Sequence, residues 1–233
     1  MPSPSAPTRP RHATAAVVLQ VRDGRLQALL WQRAKPPEEG RWALPGGVLE
    51  PGETLEQSIR CHLAAKVDVR ELAHLEQLET QVEPGPPHGW QVTTAYLGLV
   101  PSHLDPAIPA DTQWHPVDAL PPLAFAGSVT VTRGRDRLRA KLSYTNLGFA
   151  LAPPEFTVSE LRQLYVAALG HAISATNLQR VLVRRGVLEP SGGRREPGPS
   201  GGRPAALFRF SRRTLAITDQ FAVLRPARRV AAE

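Results

Sequence analysis

Apolar and polar positions divide the chain into a β-rich first part and a helical second part. The opening stretch, MPSPSAPTRPRH at residues 1–12, holds four prolines and no apolar periodicity, so it reads as a disordered lead-in. Two β-type runs follow, TAAVVLQV at 14–21 and LQALLWQR at 26–33. Asp23-Gly24 between them signals a hairpin, because both residues tolerate the left-handed backbone of a tight turn. A turn-rich loop at 35–53 leads into residues 54–67, where Leu55, Ile59, Leu63 and Val67 recur every four positions and predict an amphipathic helix. Beyond it the pattern predicts extended structure at 70–82, a Pro/Gly turn at 83–89 and a strand at 90–100. A Pro-broken connection at 101–127 and a helix at 128–142 come next, and residues 143–156 read as the joint between two domains, 13–150 and 151–233.

The second part has its own signature. Thr157-Val158-Ser159-Glu160 is a capping box, a hydroxyl at the N-cap with a Glu three residues on. The helix it starts carries Leu161, Leu164, Tyr165 and Ala168 on one face and stops at Gly170. A second helix starts after Ser174 and runs to Gly186, and two β-type runs, at 187–190 and 206–210, flank the loop SGGRREPGPSGGRPA. Helix, turn, helix, then a hairpin with a long Gly/Arg loop is the element order of a winged helix. Asn177, Arg180 and Arg184, spaced by three and four, share one face and can offer hydrogen bonds to adenine and guanine edges. Arg185 beside them and Arg194, Arg195 and Arg203 in the Gly-rich wing are candidates for phosphate contacts, and Thr157 at the first helix is counted with them.

Composition sharpens this division. The chain has 233 residues, enough for one large or two small domains, and 42% of them are hydrophobic, enough to bury a core. Its net charge of +7 is unevenly placed: residues 1–150 hold 15 Lys+Arg and 15 Asp+Glu, whereas 151–233 hold 13 Arg and 6 Asp+Glu. The excess belongs to the second module alone, as expected of a part that binds a polyanion. One cysteine, Cys61, excludes an internal disulfide and a thiolate metal cluster and suits a cytoplasmic protein. The longest apolar run, residues 13–21, is about half of a membrane span, so no membrane partner is expected.

The stretch with the most chemical content is LPGGVLEPGETLEQSIRCHLAAKVDV at 44–69. It resembles the Nudix box, in which a Gly, five residues on a Glu, and then an Arg-Glu pair, a Glu-Glu pair and a Gly follow at fixed spacing. Gly47 and Glu53 fit the first half; in the same register the Arg-Glu pair is Cys61-His62, the Glu-Glu pair is Ala65-Lys66 and the Gly is Asp68. Magnesium-dependent hydrolysis of a diphosphate needs several carboxylate oxygens on one metal. An ammonium about 4 Å from a dication is repelled by on the order of 8 kcal/mol at an effective dielectric of ~20. No catalytic residue and no resident metal are therefore expected, although Glu50, Glu53 and Glu56 keep weak metal binding open.

Further segments, HGWQVTTAYLGLV at 88–100, WHPVDALPPLAF at 114–125, RAKLSYTNLGFAL at 139–151 and PPEFTVSELRQLY at 154–165, look like the Nudix-related transcriptional regulators of the NrtR family. The resemblance spans roughly residues 14–225. It implies an α+β chain, a Nudix-like α/β/α sandwich with a mixed sheet followed by a winged helix-turn-helix domain. It also implies a probe of nucleotide levels rather than a cofactor enzyme: a homodimeric repressor of NAD metabolism genes that binds a near-palindromic double-stranded operator and responds to ADP-ribose or a related nucleotide. On that likeness Arg33, Trp42, Gly46, Gly47, Glu53, Tyr96 and Phe125 are candidate ligand contacts. A second reading, a nucleotide-sugar or ADP-ribose pyrophosphatase with altered metal ligands, stays open at this point. So does a third, a scaffold whose basic tail binds a protein.

Overall fold

The computed structural model describes residues 11–85, 89–196 and 204–219. The chain divides into two compact units, up to Asp136 and from Arg137 onward. In the first, β1 (Arg11–Arg22) and β2 (Arg25–Gln32) form the expected hairpin. Asp23 and Gly24 at its tip have φ of 49° and 72°, the paired left-handed residues such a turn requires. Arg11 and His12, expected in the lead-in, are already part of β1, and His12 Nε2 lies 2.9 Å from Thr94 Oγ1 across the sheet.

The short strands β3 (Trp42–Ala43) and β4 (Gly46–Val48) sit inside the segment expected to be a loop. They are followed by α1 (Leu55–Val67), β5 (His74–Gly85), β6 (Gly89–Leu99) and β7 (Thr112–Pro116), the last inside the expected Pro-broken connection. The sheet runs β3-β2-β1-β6-β5, with β4 added to β1 and β7 to β2; β1 and β6 are parallel and the other pairs antiparallel, so it is mixed. One face packs on α1 through Ile59, Leu63 and Val67, each fully buried among Ala16, Val18 and Leu29. On the other face lies the start of α2 (Gly127–Tyr144), so close that a Cβ on Gly134 would stand 2.8 Å from Val17 Cγ1. Helices on both faces make the expected α/β/α layering.

In the second unit β8 (Phe156–Thr157) precedes α3 (Val158–Leu169), α4 (Ala175–Arg184), β9 (Leu188–Arg195) and β10 (Ala205–Phe210), with sheet order β8-β10-β9. The capping box at Thr157 and Glu160 is complete, Gly170 caps α3 in the left-handed region, and Ser174 caps α4. Within residues 143–156, the segment read as the joint, Leu147, Phe149, Leu151 and Phe156 are essentially solvent-free. Asn146 ties the segment down, donating from Nδ2 to Thr214 O at 2.9 Å and accepting at Oδ1 from Ala216 N at 2.7 Å. These bonds tie the segment to the C-terminal stretch within the unit that begins at Arg137.

Candidate functional site

A cavity of about 660 Å³ opens in the first unit between β1, the Leu44–Val48 stretch, the last turn of α1 and the start of α2. Its floor exists because β4 lies against β1, with Thr14 opposite Gly47 and Ala15 opposite Gly46. A Cβ on Gly46 would come within 2.1 Å of Thr14 O and 2.7 Å of Ala15 Cα, so only glycine lets the strands pair. A Cβ on Gly47 would meet the His62 ring at 2.5 to 2.8 Å, and that ring is held by a 2.9 Å bond between Nε2 and Val48 O. Both glycines therefore make room for the protein's own strand and helix.

The cavity's charge comes from Arg11, Arg33 and Lys66, with Glu38 the carboxylate among its lining residues and held by Arg41. Lys66 ends α1 and donates from Nζ to Gly46 O at 2.6 Å while sitting 5.0 Å from the centre of the Trp31 ring. Trp31 is in turn fixed by its indole N–H on Leu44 O at 3.1 Å. Burial first, and the Arg33 charge second, hold the Lys66 ammonium below its usual pKa. Arg33 lies 4.8 Å over the Phe125 ring and donates Nε to Pro37 O at 2.8 Å. Phe125 is 54% exposed with φ of 54°, a left-handed backbone that an aromatic residue rarely adopts. A flat aromatic face backed by a guanidinium, beside an ammonium, suits a planar base attached to an anionic group.

Of the seven candidate ligand residues, Arg33, Gly46, Gly47 and Phe125 line this cavity and Trp42, Glu53 and Tyr96 do not. Trp42 turns edge-on to His115, with ring centres 4.6 Å apart. Tyr96 is packed in the core under α1, where burial raises its phenol pKa and nearby Glu56 adds to the effect. Glu53 accepts from Glu50 N at 3.2 Å, a local turn contact. Sequence reasoning missed Trp31, Thr130, Gln81 and Gln91 as wall residues and weighed Lys66 only as a defect in the box. The signal for Lys66 was a cation at an expected acid position.

In the second unit, α4 buries Leu178 and Leu182 and leaves Asn177, Arg180 and Arg184 exposed on one face. Arg180 Nη2 donates to Asn177 Oδ1 at 2.8 Å, which holds the two side chains together. Arg185 departs from expectation: it is bound to Ser143 O and to Asp219, both at 2.8 Å, with only 12% of its side chain accessible. Thr157 is also buried, its hydroxyl and amide engaged with Glu160. Arg194 and Arg195 belong to β9, opposite Ala206 and Ala205, and so extend a strand where a loop was expected. Arg194 is exposed, whereas Arg195 is paired with Glu160. Arg203 lies outside the described residues.

The family profile described as NUDIX domain matches residues 10–133, and that described as NrtR DNA-binding winged helix domain matches 148–210. The ADPR-responsive transcriptional repressor of Acinetobacter baylyi is 32% identical over 207 residues, covering 83% of this chain and 79% of that protein. The chain belongs to the NrtR family. Among solved NrtR structures, that of Shewanella oneidensis NrtR complexed with a 27mer DNA matches with a TM-score of 0.74 at 32% identity, over 85% of this chain and 92% of that one. The NUDIX domain of the same protein complexed with ADP ribose matches with a TM-score of 0.51 at 32% identity, over 58% of this chain and 93% of that one. Both modules expected of an NrtR chain, a mixed-sheet Nudix unit and a winged helix, are thus present in order. No helix among the described residues is long and apolar enough to cross a membrane.

Proposed function

We propose that this protein is a DNA-binding repressor whose Nudix unit senses ADP-ribose or a related nucleotide. The observation that carries this reading is the cavity: cations line it where a hydrolase needs carboxylates. A divalent cation, which the Nudix fold implies, does not fit these donors. At the box positions His62 is engaged with Val48 O and Lys66 fills the cavity wall, while nearby Glu56 is paired with Arg60. Among the described residues no group of three or more His, Cys, Asp or Glu is placed to hold a metal. On this reading the pocket binds and orients a ligand without hydrolysing it.

The exposed Asn177, Arg180 and Arg184 of α4 read base edges in the major groove, and Arg194 on β9 contacts the backbone. One winged helix covers a short site, so a homodimer on a near-palindromic operator is the expected assembly. Its targets, on the resemblance to NrtR regulators, are NAD metabolism genes in the cytoplasm. A gel-shift titration with DNA from the protein's own upstream region tests the reading. A sequence-preferring shift that weakens with salt supports it; equal affinity for unrelated DNA sinks it. Release of AMP from ADP-ribose with Mg²⁺ or Mn²⁺ that is abolished in Glu53→Gln would instead establish the hydrolase alternative.

A further inference from the structure

We propose that the Lys66 ammonium stands in for a divalent cation, so that the cavity holds a diphosphate group without metal. The inference rests on the reading of this cavity as a nucleotide site. Lys66 spends one N–H on Gly46 O and lies over the Trp31 face, which leaves N–H donors for a ligand. Neither a carbonyl nor an indole ring neutralises its charge, and it forms no ion pair with a described residue. A half-buried cation without an acid is costly, and an anion entering the cavity removes that cost. Arg33 faces the same space and adds a second positive charge, while its own contacts, Pro37 O and the Phe125 ring, are uncharged as well. An ammonium is a point charge suited to phosphate oxygens, and the guanidinium beside it offers a planar fork to the same group. An ammonium and a dication in one place repel, so a cavity that keeps Lys66 has no use for magnesium.

The test is calorimetric titration of the full chain with ADP-ribose in EDTA and in MgCl₂, and with inorganic pyrophosphate in EDTA. Wild type should bind ADP-ribose equally in both buffers, within about twofold, and Lys66→Met should weaken binding roughly tenfold or more in each. Lys66→Glu should lose binding in EDTA and regain it with Mg²⁺, because a carboxylate then invites the metal back. A roughly tenfold loss of wild-type affinity on adding EDTA, or a Lys66→Met protein that binds like wild type, overturns the proposal. If Lys66→Met fails to fold, the wild-type comparison decides alone. Pyrophosphate bound through Lys66 without any ADP-ribose binding keeps this inference and removes ADP-ribose as the ligand; failure of both probes overturns both.

Discussion

Gly46 and Gly47 are neighbours in one strand, line one cavity and should respond very differently to alanine. At Gly46 the new Cβ meets backbone, Thr14 O at 2.1 Å and Ala15 Cα at 2.7 Å, and neither can move without parting β4 from β1. That parting endangers the bonds from Ala16 N to Pro45 O and from Leu49 N to His12 O, both 2.9 Å. At about 1 kcal/mol for each, with a similar overpacking cost, Gly46→Ala should lose about 3 kcal/mol. At Gly47 the obstacle is the His62 side chain, which can swing away and give up one bond to Val48 O, so Gly47→Ala should cost about 1 kcal/mol. Trp31, Trp42, Trp90 and Trp114 all lie in the first unit, so tryptophan fluorescence during heating reports on this unit alone. At roughly 3 °C per kcal/mol, the two midpoints should fall by about 9 °C and about 3 °C. In a His62→Ala background the Gly47 change should become nearly silent while the Gly46 change keeps its full cost. Equal losses for the two glycines, or no rescue by His62→Ala, would refute the assignment of their roles.

Arg184, the last residue of α4, and its neighbour Arg185 should separate cleanly. Arg184→Ala should weaken DNA binding by about 1 to 3 kcal/mol and relax its sequence preference, with little change in stability. Arg185→Ala should instead destabilise the winged-helix unit by about 2 kcal/mol, since it leaves Asp219, 14% accessible, without this partner; thermal unfolding distinguishes the two. Glu160→Ala should cost the second unit roughly 1 to 2 kcal/mol, because Thr157 loses its reciprocal cap, and circular dichroism on heating measures it. Burial holds the His115 imidazole below 6.5, with Nε2 enclosed and unpartnered, so between those two values the unfolded chain binds more protons. Stability of the first unit is therefore complete above pH 6.5 and declines as pH falls through that window. His115→Phe should lose this part of the acid dependence in fluorescence melts at about pH 7.5 and about pH 5.

Long periodic elements were legible in the sequence. The Leu55, Ile59, Leu63, Val67 spacing gave α1 its bounds and its buried face, and Thr157 and Ser174 marked where α3 and α4 begin. The strands β3, β4, β7 and β8 were not, because runs of two to five residues carry no period and exist only through partners elsewhere in the chain. The same limit governs the sites. Arg184 and Arg185 are identical in type and adjacent, and only Asp219, which folds back beside α4, decides that one faces solvent and the other does not. Arg33 and Phe125 are far apart in sequence and meet only in the folded unit, whereas Tyr96, a candidate ligand contact on the family likeness, went to the core. Lys66 was visible as an oddity; that it is anchored on Gly46 O and Trp31 became visible only in three dimensions.

The most direct measurement of the central claim is ligand linkage between the two units. A fluorescent duplex from the upstream region, bound by the full chain, is titrated with ADP-ribose while anisotropy is followed. Because coupling between binding sites is reciprocal, ADP-ribose should change DNA affinity by about fivefold or more, and DNA should change ADP-ribose affinity by the same factor. DNA affinity that stays constant up to saturating ADP-ribose, in a protein shown to bind both, would contradict the account.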